Sequence, residues 1–341
     1  MLNGRTQTPP SGRRSSRVAP PVTAAAPAAP RRPGRTEWLM MLGVAIIGGS
    51  SFAAIRIAVE TAPAPIVSAG RLWIAFAFML VYTLRTGRTM MPLRSGGGLS
   101  PAWGYALAVG LIGYAMPHML IPVAQQTVSS LLAGIYMAFM PIATVLLAAA
   151  FADEPLTPRK SLGFVGGTAG VLILIGPQAL SNLLSADVRA QLLLLVAVTG
   201  YAVASVLMRR APEVPARSFA TGFLLSGALL ATPLALASDW QSVSLSSWAA
   251  IAYLGIFPTG LTAIFIILTI KRVGAGFLSL SAYLSPVTAI LLGVALFGEA
   301  LAMRHVLGLG AIMVGLVLAE PQSGRALSRW LLRRRSAPAD R

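Results

Sequence analysis

Seven side chains inside otherwise apolar stretches of this 341-residue sequence have the chemistry to bind a solute. They are one arginine, one histidine, one serine and four tyrosines: Arg71, Tyr114, His118, Tyr136, Tyr201, Ser279 and Tyr283. A guanidinium group binds carboxylate or phosphate through paired hydrogen bonds, and hydroxyl groups both donate and accept. Such a set would suit a small solute that carries an anionic group and an apolar part.

Arg71 lies about seven residues, or roughly 10 Å, into an apolar run that begins at residue 64. At that depth in a membrane, a charge costs a few kcal/mol unless it meets a partner, water or a ligand. The sequence offers no acidic residue nearby within an apolar run. Two interpretations stand: Arg71 recognises a substrate carboxylate, or it extends to the membrane surface. For Arg56, close to the end of its run, the sequence favours extension to the surface.

His118 is predicted to share one helical face with Gly110 and Tyr114, because the three residues recur every four positions. Histidine changes its charge near neutral pH, so His118 could couple transport to protons. The alternative is a structural hydrogen bond near a helix end. No Asp or Glu lies within an apolar run to carry a coupling ion, which favours facilitated efflux or exchange.

The remaining candidates are hydroxyl groups and helix-bending residues. The hydroxyl groups either line a cavity or form hydrogen bonds between helices. They belong to Tyr136, Tyr201, Ser279 and Tyr283. Pro141 and Pro286 occupy equivalent positions within two runs, where each removes a backbone hydrogen bond. With nearby Gly134, they are either gating hinges or prolines that neighbouring helices tolerate.

The elements that hold these residues must lie in a lipid bilayer. Apolar residues make up 56% of the chain and charged residues 11%, with a mean hydropathy of +0.74, whereas soluble domains carry about 25% charge. Ten apolar runs without period-two alternation predict spanning helices rather than a β-barrel. The runs, numbered 1 to 10, are 38–58, 64–84, 103–122, 128–152, 161–176, 190–208, 218–237, 248–270, 275–297 and 303–319. We expect an all-α polytopic membrane protein with ten transmembrane helices.

The second half of the chain repeats the first half upside down. Residues 141–163 align without gaps with residues 286–308, at an offset of 145 positions (286 minus 141). Each half contains five runs, so the second copy begins on the opposite side of the membrane. Inverted repeats are typical of secondary transporters, which alternate between inward-open and outward-open states. We expect a central cavity lined by runs 1, 3, 4, 6, 8 and 9.

Two features of the repeat are predicted to be structural. Glu154 and Glu299 each follow a run, and we expect each to pair with the arginine five positions later, Arg159 or Arg304. Small residues in runs 5 and 10 predict close packing of helices. They are Gly163, Gly166, Gly167, Gly170, Ala311 and Gly315.

Basic residues predict the orientation in the membrane. With the N-terminus inside, 23 of the 27 Lys and Arg residues fall on the inner side, against Arg189 and Arg304 outside. The net charge of +17 is therefore a topology signal and not a footprint for nucleic acid. The first 36 residues contain no acid, which is typical of a disordered tail or, alternatively, of a transit peptide. The first run is too long for a signal-peptide core, so we expect a retained signal anchor.

Several function classes lack support in the sequence. The chain has no cysteine, so it offers no thiol nucleophile, disulfide or cysteine metal site. It carries no H-E-x-x-H, G-x-S-x-G or P-loop motif and no paired carboxylates within one run. We therefore expect no enzyme activity, no catalytic residue, no metal and no cofactor.

Four motifs spread over the chain carry a family resemblance. They are GGSSFAAIR at 48–56, SAGRLWIAF at 68–76, FADEPLT at 151–157 and FGEAL at 297–301. Together they resemble the EamA family of the drug/metabolite transporter (DMT) superfamily. Where a tryptophan commonly opens the first motif, this chain has Gly48, and it has Tyr201 in the second half.

The resemblance implies two inverted five-helix EamA repeats, 37–177 and 186–320, between basic cytoplasmic tails at 1–36 and 321–341. It implies export or exchange of small metabolites, amino acids included, across a bacterial cytoplasmic membrane. Both termini would then be cytoplasmic. The expected partners are a small-molecule substrate and the lipid bilayer, with no nucleic acid, and the protein is expected to be a monomer or homodimer. Two alternatives stay open: efflux of drugs or hydrophobic cations by the same fold, and a non-transport scaffold or receptor.

Overall fold

Apolar helices make up most of the chain that the structure describes. The computed structural model describes Met1 and residues 33–95, 97–151, 157–176, 186–273, 275–278 and 280–319. The helices are α1 Arg35–Ala58, α2 Ala64–Arg85, α3 Pro101–Gln125, α4 Ser130–Met137, α5 Met140–Phe151, α6 Pro158–Ile175, α7 Ala186–Arg210, α8 Ala216–Leu236, α9 Leu245–Val273, α10 Ala275–Leu278, α11 Ser281–Phe297 and α12 Met303–Ala319. A two-residue antiparallel ladder joins β1 Arg94–Ser95 to β2 Gly98–Leu99 between α2 and α3. Ser279, Glu154 and most of the two predicted tails lie outside the described residues.

The ends of several helices follow from local sequence signals. The side chain of Ser129 accepts a hydrogen bond from the backbone of Leu132 and caps α4. Ser244 caps α9 in the same way, by accepting from the backbone of Ser247. Both bonds satisfy backbone N–H groups that the first helical turn leaves without partners. Gly298 ends α11 with a φ of +61°, a left-handed conformation that glycine adopts without strain.

Membrane-spanning length distinguishes two groups of helices in the described part of the chain. Seven helical segments are long and apolar enough to cross a membrane: α1, α2, α3, the segment Ser130–Leu147, α7, α8 and α9. Three shorter apolar stretches, Ser161–Leu174, Ser281–Phe297 and Met303–Leu318, match runs 5, 9 and 10. The predicted all-helical membrane architecture is confirmed, and the count of ten crossings stays a prediction.

Helices α3 and α9 each contain a π-helical segment at the same place in the repeat. The segment covers Gly110–Ala115 in α3 and Gly255–Leu261 in α9. Their first residues are 145 positions apart (255 minus 110), which is the offset of the sequence repeat. π-Helical turns are rare and occur often at functional sites. The repeat therefore extends from the sequence to an unusual backbone feature.

Helices α6 and α12 pack against each other through small residues. A Cβ atom added at Gly166 would lie 3.4 Å from the Cα atom of Gly315, and one added at Gly170 would lie 2.7 Å from the carbonyl oxygen of Gly308. A Cβ added at Gly315 would lie 2.6 Å from the carbonyl oxygen of Gly163. The predicted close packing of runs 5 and 10 is confirmed, and it joins the two halves of the chain.

The predicted hinge residues lie in two different backbone settings. A turn at 138–139 separates α4 from α5, and Pro141 follows in the first turn of α5. Pro286 is buried inside α11, which stays helical around it. Gly134 packs directly against Ala289 of α11, so its missing side chain permits a close contact between the halves. The hinge role of these residues stays a prediction.

Candidate functional site

Arg71 is buried where helices from both halves of the chain meet. The residue is only 7% exposed, so it does not extend to a surface. Its Nε atom donates a hydrogen bond of 2.8 Å to Oγ1 of Thr259 in α9. Within the described part of the chain, its two terminal amino groups have no hydrogen-bond or ion-pair partner. The guanidinium group is therefore held by one nitrogen, which leaves its two-pronged edge for an anionic group.

Thr259 reaches Arg71 from the π-helical segment of α9. It is 6% exposed, and its hydroxyl group donates a 2.9 Å hydrogen bond to the carbonyl oxygen of Leu254, five residues earlier. That bond uses the hydroxyl proton, so the oxygen turns its lone pairs to the donor on Arg71. Thr259 was not among the site residues predicted from the sequence. The available signal was its position 145 residues after Tyr114 (259 minus 114), at the repeat offset.

Three other predicted site residues gather around Arg71. The ring of His118 lies 5.6 Å from that of Tyr114 and 6.3 Å from that of Tyr201, measured between centroids. Tyr114 also stacks on Phe223 of α8, with centroids 4.6 Å apart. Tyr114, Tyr201 and His118 all lie within electrostatic range of the Arg71 side chain. We term the whole group the central cluster: Arg71, Tyr114, His118, Tyr201, Phe223 and Thr259.

The inverted repeat builds the central cluster from two equivalent helix crossings. A Cβ atom added at Gly110 of α3 would lie 2.7 Å from the carbonyl oxygen of Phe223 in α8. A Cβ atom added at Gly255 of α9 would lie 2.9 Å from the carbonyl oxygen of Arg71 in α2. Each crossing therefore brings the first glycine of a π-helical segment against the backbone of a helix from the other half. Close approach of this kind requires the absence of a side chain.

The side chains at the two crossings differ in chemistry. Four residues after its glycine, each π-helical segment contacts the opposite helix, through Tyr114 on Phe223 and through Thr259 on Arg71. One crossing thus forms an aromatic pole and the other a polar, cationic pole. A solute with an anionic group and a flat apolar part would complement both poles. Phe223 was not predicted, and run 7 was not expected at the cavity.

His118 contributes a buried ring atom with unused hydrogen-bonding capacity. The residue is 3% exposed, and its Nδ1 atom has no hydrogen-bond partner among the described residues. Buried polar atoms are nearly always paired with protein, water or a ligand. Proton coupling through His118 stays a prediction. The described residues contain no group of three or more His, Asp or Glu side chains that could hold a metal ion.

The other predicted hydroxyl groups lie in different surroundings. The hydroxyl group of buried Tyr136 donates a 2.7 Å hydrogen bond to Oε1 of Gln191 in α7. This bond joins helices from the two halves, which is the second interpretation given to Tyr136 above. Gln191 was not predicted as a site residue, although it is a polar residue near the start of run 6. Tyr283 lies on α11, partly buried against the same core region as Tyr136.

The predicted partner of Glu299 was wrong. Its carboxylate accepts hydrogen bonds from the backbone N–H of Ser130 at 2.9 Å, from the Ser130 hydroxyl at 2.8 Å and from the backbone N–H of Leu131 at 2.7 Å. Glu299 therefore caps the N-terminus of α4 and does not pair with Arg304. Arg56 also lies 3.8 Å from this carboxylate and stacks on an aromatic ring, so it meets protein partners. Three charge-assisted hydrogen bonds at a helix N-terminus outweigh one exposed ion pair.

Comparison with protein families gives one match that covers both halves of the chain. The profile of the EamA-like transporter family matches residues 35–176 and 188–319. A solved crystal structure aligns with 85% of this chain and 99% of its own chain, at a TM-score of 0.61 and 23% identity. At that identity, the likeness shows the fold alone.

Three proteins that are similar in sequence to this chain carry names that describe transporters. The "Uncharacterized inner membrane transporter YedA" of Escherichia coli (strain K12) is 30% identical over 281 residues, which cover 80% of this chain and 87% of the relative. The "Uncharacterized transporter YdfC" of Bacillus subtilis (strain 168) is 25% identical over 290 residues, which cover 82% of this chain and 90% of the relative. The "Aromatic amino acid exporter YddG" of Ancylobacter novellus is 30% identical over 241 residues, which cover 67% of this chain and 82% of the relative.

Proposed function

This chain belongs to the EamA-like transporter family, and from that membership we propose that it is a secondary transporter that exports or exchanges small carboxylate-bearing metabolites, amino acids among them. Family membership and the named relatives support transport rather than enzyme catalysis. Seven span-capable helices in the described part of the chain supply the matching architecture.

The proposed topology has ten crossings in two inverted repeats, 37–177 and 186–320, with both tails in the cytoplasm. Two copies of the family match support the division, at 35–176 and 188–319. The paired π-helical segments support it as well, because they recur at the repeat offset. The bias of basic residues supports cytoplasmic termini, and the E. coli relative supports placement in a bacterial inner membrane. We propose a monomer or homodimer.

One observation carries the proposed substrate class: the buried guanidinium group of Arg71. It lies between the two halves, with only its Nε atom bonded to protein in the described part of the chain. A buried cation is expensive in a membrane unless a partner or ligand offsets the cost. A substrate carboxylate would accept two charge-assisted hydrogen bonds from the terminal amino groups. Inverted-repeat transporters bind substrate near the middle of the membrane between the repeats, where Arg71 would then act.

The aromatic pole narrows the substrate class further. Tyr114 and Phe223 offer stacked rings close to Arg71, which suits an amino acid with an aromatic or large apolar side chain. The relative from Ancylobacter novellus is named an aromatic amino acid exporter, which agrees with such a substrate. A hydrophobic cation would be repelled by Arg71, so the central cluster does not favour drug efflux.

The test is uptake of labelled L-phenylalanine into proteoliposomes that contain the purified full-length chain. We expect saturable uptake that persists without a pH gradient, is inhibited by other large apolar amino acids and is insensitive to a hydrophobic cation. Arg71→Ala should reduce the ratio of maximal uptake rate to KM by about tenfold or more. Arg272→Ala is the control, because Arg272 is exposed and pairs with Glu37 in the described structure.

The other outcomes separate the alternatives. Equal uptake by wild type and Arg71→Ala would remove Arg71 from the site. Uptake of the hydrophobic cation instead of amino acids would favour drug efflux by the same fold. Uptake only with a pH gradient would make His118 the first residue to examine for proton coupling. No uptake of any solute would favour a non-transport scaffold or receptor.

A further inference from the structure

The side chain of Arg71 needs a second group to orient it. Arginine is long and flexible, and its planar fork binds carboxylate well only when the plane of the guanidinium group is set. The contact from Nε to Thr259 sets that plane, because Nε lies in it and its N–H bond points in a different direction from the fork that the two terminal amino groups form. In the described part of the chain, it is also the one hydrogen bond that the side chain of Arg71 makes.

Thr259 is itself held in place by the backbone of α9. Its hydroxyl group donates to the carbonyl oxygen of Leu254 at 2.9 Å, so the direction of its acceptor lone pairs is fixed. The π-helical segment that contains Thr259 begins at Gly255, whose backbone packs against that of Arg71. The threonine hydroxyl and the arginine backbone are therefore positioned by the same helix crossing.

Thr262 shows what is particular to Thr259. Thr262 is 8% exposed, and its hydroxyl group donates to the carbonyl oxygen of Phe257 at 3.1 Å. Both threonines thus form the same local bond to a carbonyl five residues earlier. Only Thr259, of these two, also accepts a hydrogen bond from Arg71. The local bond is an ordinary feature of this helix, and the contact with Arg71 is an addition to it.

We infer that Thr259 is a positioning residue that orients the guanidinium group of Arg71 and thereby sets the preference for solutes with a carboxylate over analogues that lack one. The inference rests on the proposed function, because it names the residue that gives Arg71 its selectivity. Without the acceptor, Arg71 keeps its charge but loses its fixed plane. Paired hydrogen bonds to a carboxylate then require an ordering step that the wild-type protein does not need.

The first test compares uptake of L-phenylalanine by wild type, Thr259→Val, Thr259→Ser and Thr262→Val in proteoliposomes. We expect Thr259→Val to raise KM by roughly tenfold while the maximal rate stays within about twofold. Thr259→Ser retains the acceptor and should restore a near-normal KM. Thr262→Val removes the same local bond without touching Arg71, so its KM should match wild type. An unchanged KM in Thr259→Val, or equal increases in Thr259→Val and Thr262→Val, would overturn the inference.

Two further comparisons tie the effect to Arg71 and to the carboxylate. Inhibition of uptake by 3-phenylpropionamide, a neutral analogue that lacks the carboxylate, should be the same in wild type and Thr259→Val. Adding Thr259→Val to Arg71→Ala should cause no further rise in KM, because the residue through which Thr259 acts is already gone. A further rise of the same size as in the single variant would show that Thr259 acts independently of Arg71.

A second measurement does not depend on transport. Phenylglyoxal modifies the terminal nitrogens of arginine, and peptide mass spectrometry can follow the modification at Arg71 alone. We expect modification of Arg71 to be several-fold faster in Thr259→Val than in wild type or Thr262→Val, because the guanidinium group samples more orientations. Equal rates in all three proteins would overturn the inference. Faster modification without uptake of L-phenylalanine would retain the role of Thr259 and reject the proposed substrate.

Discussion

At the scale of single residues, the partner of each polar side chain decides which role it can take. Arg71 and Tyr136 both lie buried in apolar helices. Arg71 keeps two amino groups without a partner in the described residues, whereas the Tyr136 hydroxyl is bonded to Gln191 across the two halves. The amino groups of Arg71 can therefore still bind a solute, whereas the hydroxyl group of Tyr136 holds two helices together.

Replacement of Tyr136 by phenylalanine tests this distinction. Tyr136→Phe removes the 2.7 Å hydrogen bond and leaves Oε1 of Gln191 without that donor. We expect the free energy of unfolding in detergent to fall by about 1 kcal/mol, and KM for uptake to stay unchanged. The control is Tyr105→Phe, since the Tyr105 hydroxyl makes no hydrogen bond within the described residues. A large rise in KM with normal stability would instead place Tyr136 in the substrate site.

At the scale of helices, the two π-helical segments and their first glycines hold the site together. Each glycine lets its helix approach the backbone of a helix from the other half, and each segment then presents one side chain to that helix. The same geometry thus positions Thr259 on Arg71 and Tyr114 on Phe223. Close packing at one point and a specific side-chain contact four residues later are therefore two results of one crossing.

An added methyl group at one crossing should separate its helices. In Gly255→Ala, the new Cβ atom would lie 2.6 Å from Cβ of Ile74 and 2.9 Å from the carbonyl oxygen of Arg71. We expect the free energy of unfolding to fall by about 1–3 kcal/mol because the backbone must shift. Gly104→Ala is the matched control: Gly104 lies in α3 with nothing within 4 Å of an added Cβ, so stability should hold or rise slightly. Equal stability of the two variants, measured by thermal unfolding, would contradict this account.

At the scale of the whole molecule, one contact joins the halves at the end of the bundle that the basic residues predict to be outside. The Glu299 carboxylate, which follows α11 in the second half, caps α4 of the first half and faces Arg56 of α1. Under the proposed alternating access, opening to that side would separate these elements. The contact therefore belongs to a state that is closed at this end, and its rupture would accompany opening under the proposed alternating access.

Weakening this contact should shift the protein toward the opened state. The natural chain has no cysteine, so a single reporter such as Met137→Cys in α4 can be labelled without background. We expect Glu299→Gln to increase labelling of the reporter by a membrane-impermeant maleimide from the outside by several-fold, because all three charge-assisted hydrogen bonds lose the carboxylate charge. The control is Glu37→Gln, which breaks the ion pair with Arg272 at the opposite end of α1. Equal labelling of the reporter variant by itself, with Glu299→Gln and with Glu37→Gln would show that Glu299 does not hold this end closed.

The sequence by itself determined that the chain lies in a membrane, that it is helical, that its two halves repeat and which family it belongs to. Apolar composition and run length are properties of many residues together and depend on no particular contact, so they can be read from the sequence alone. The same holds for Arg71, which stands out because any charge within an apolar run needs an explanation. The small-residue faces of α6 and α12 were also legible, because their spacing is local.

Only the tertiary structure decided which side chains meet. Glu299 reaches Ser130 across 169 positions and Thr259 reaches Arg71 across 188, so neither pairing follows from local spacing. The nearby Arg304 was the obvious partner for Glu299 by sequence, but the first backbone N–H groups of α4 offered more hydrogen bonds. Thr259 looks like any threonine in an apolar helix until a π-helical turn and a close crossing bring it to Arg71. Patterns along the chain therefore predict elements, whereas partners depend on how those elements cross.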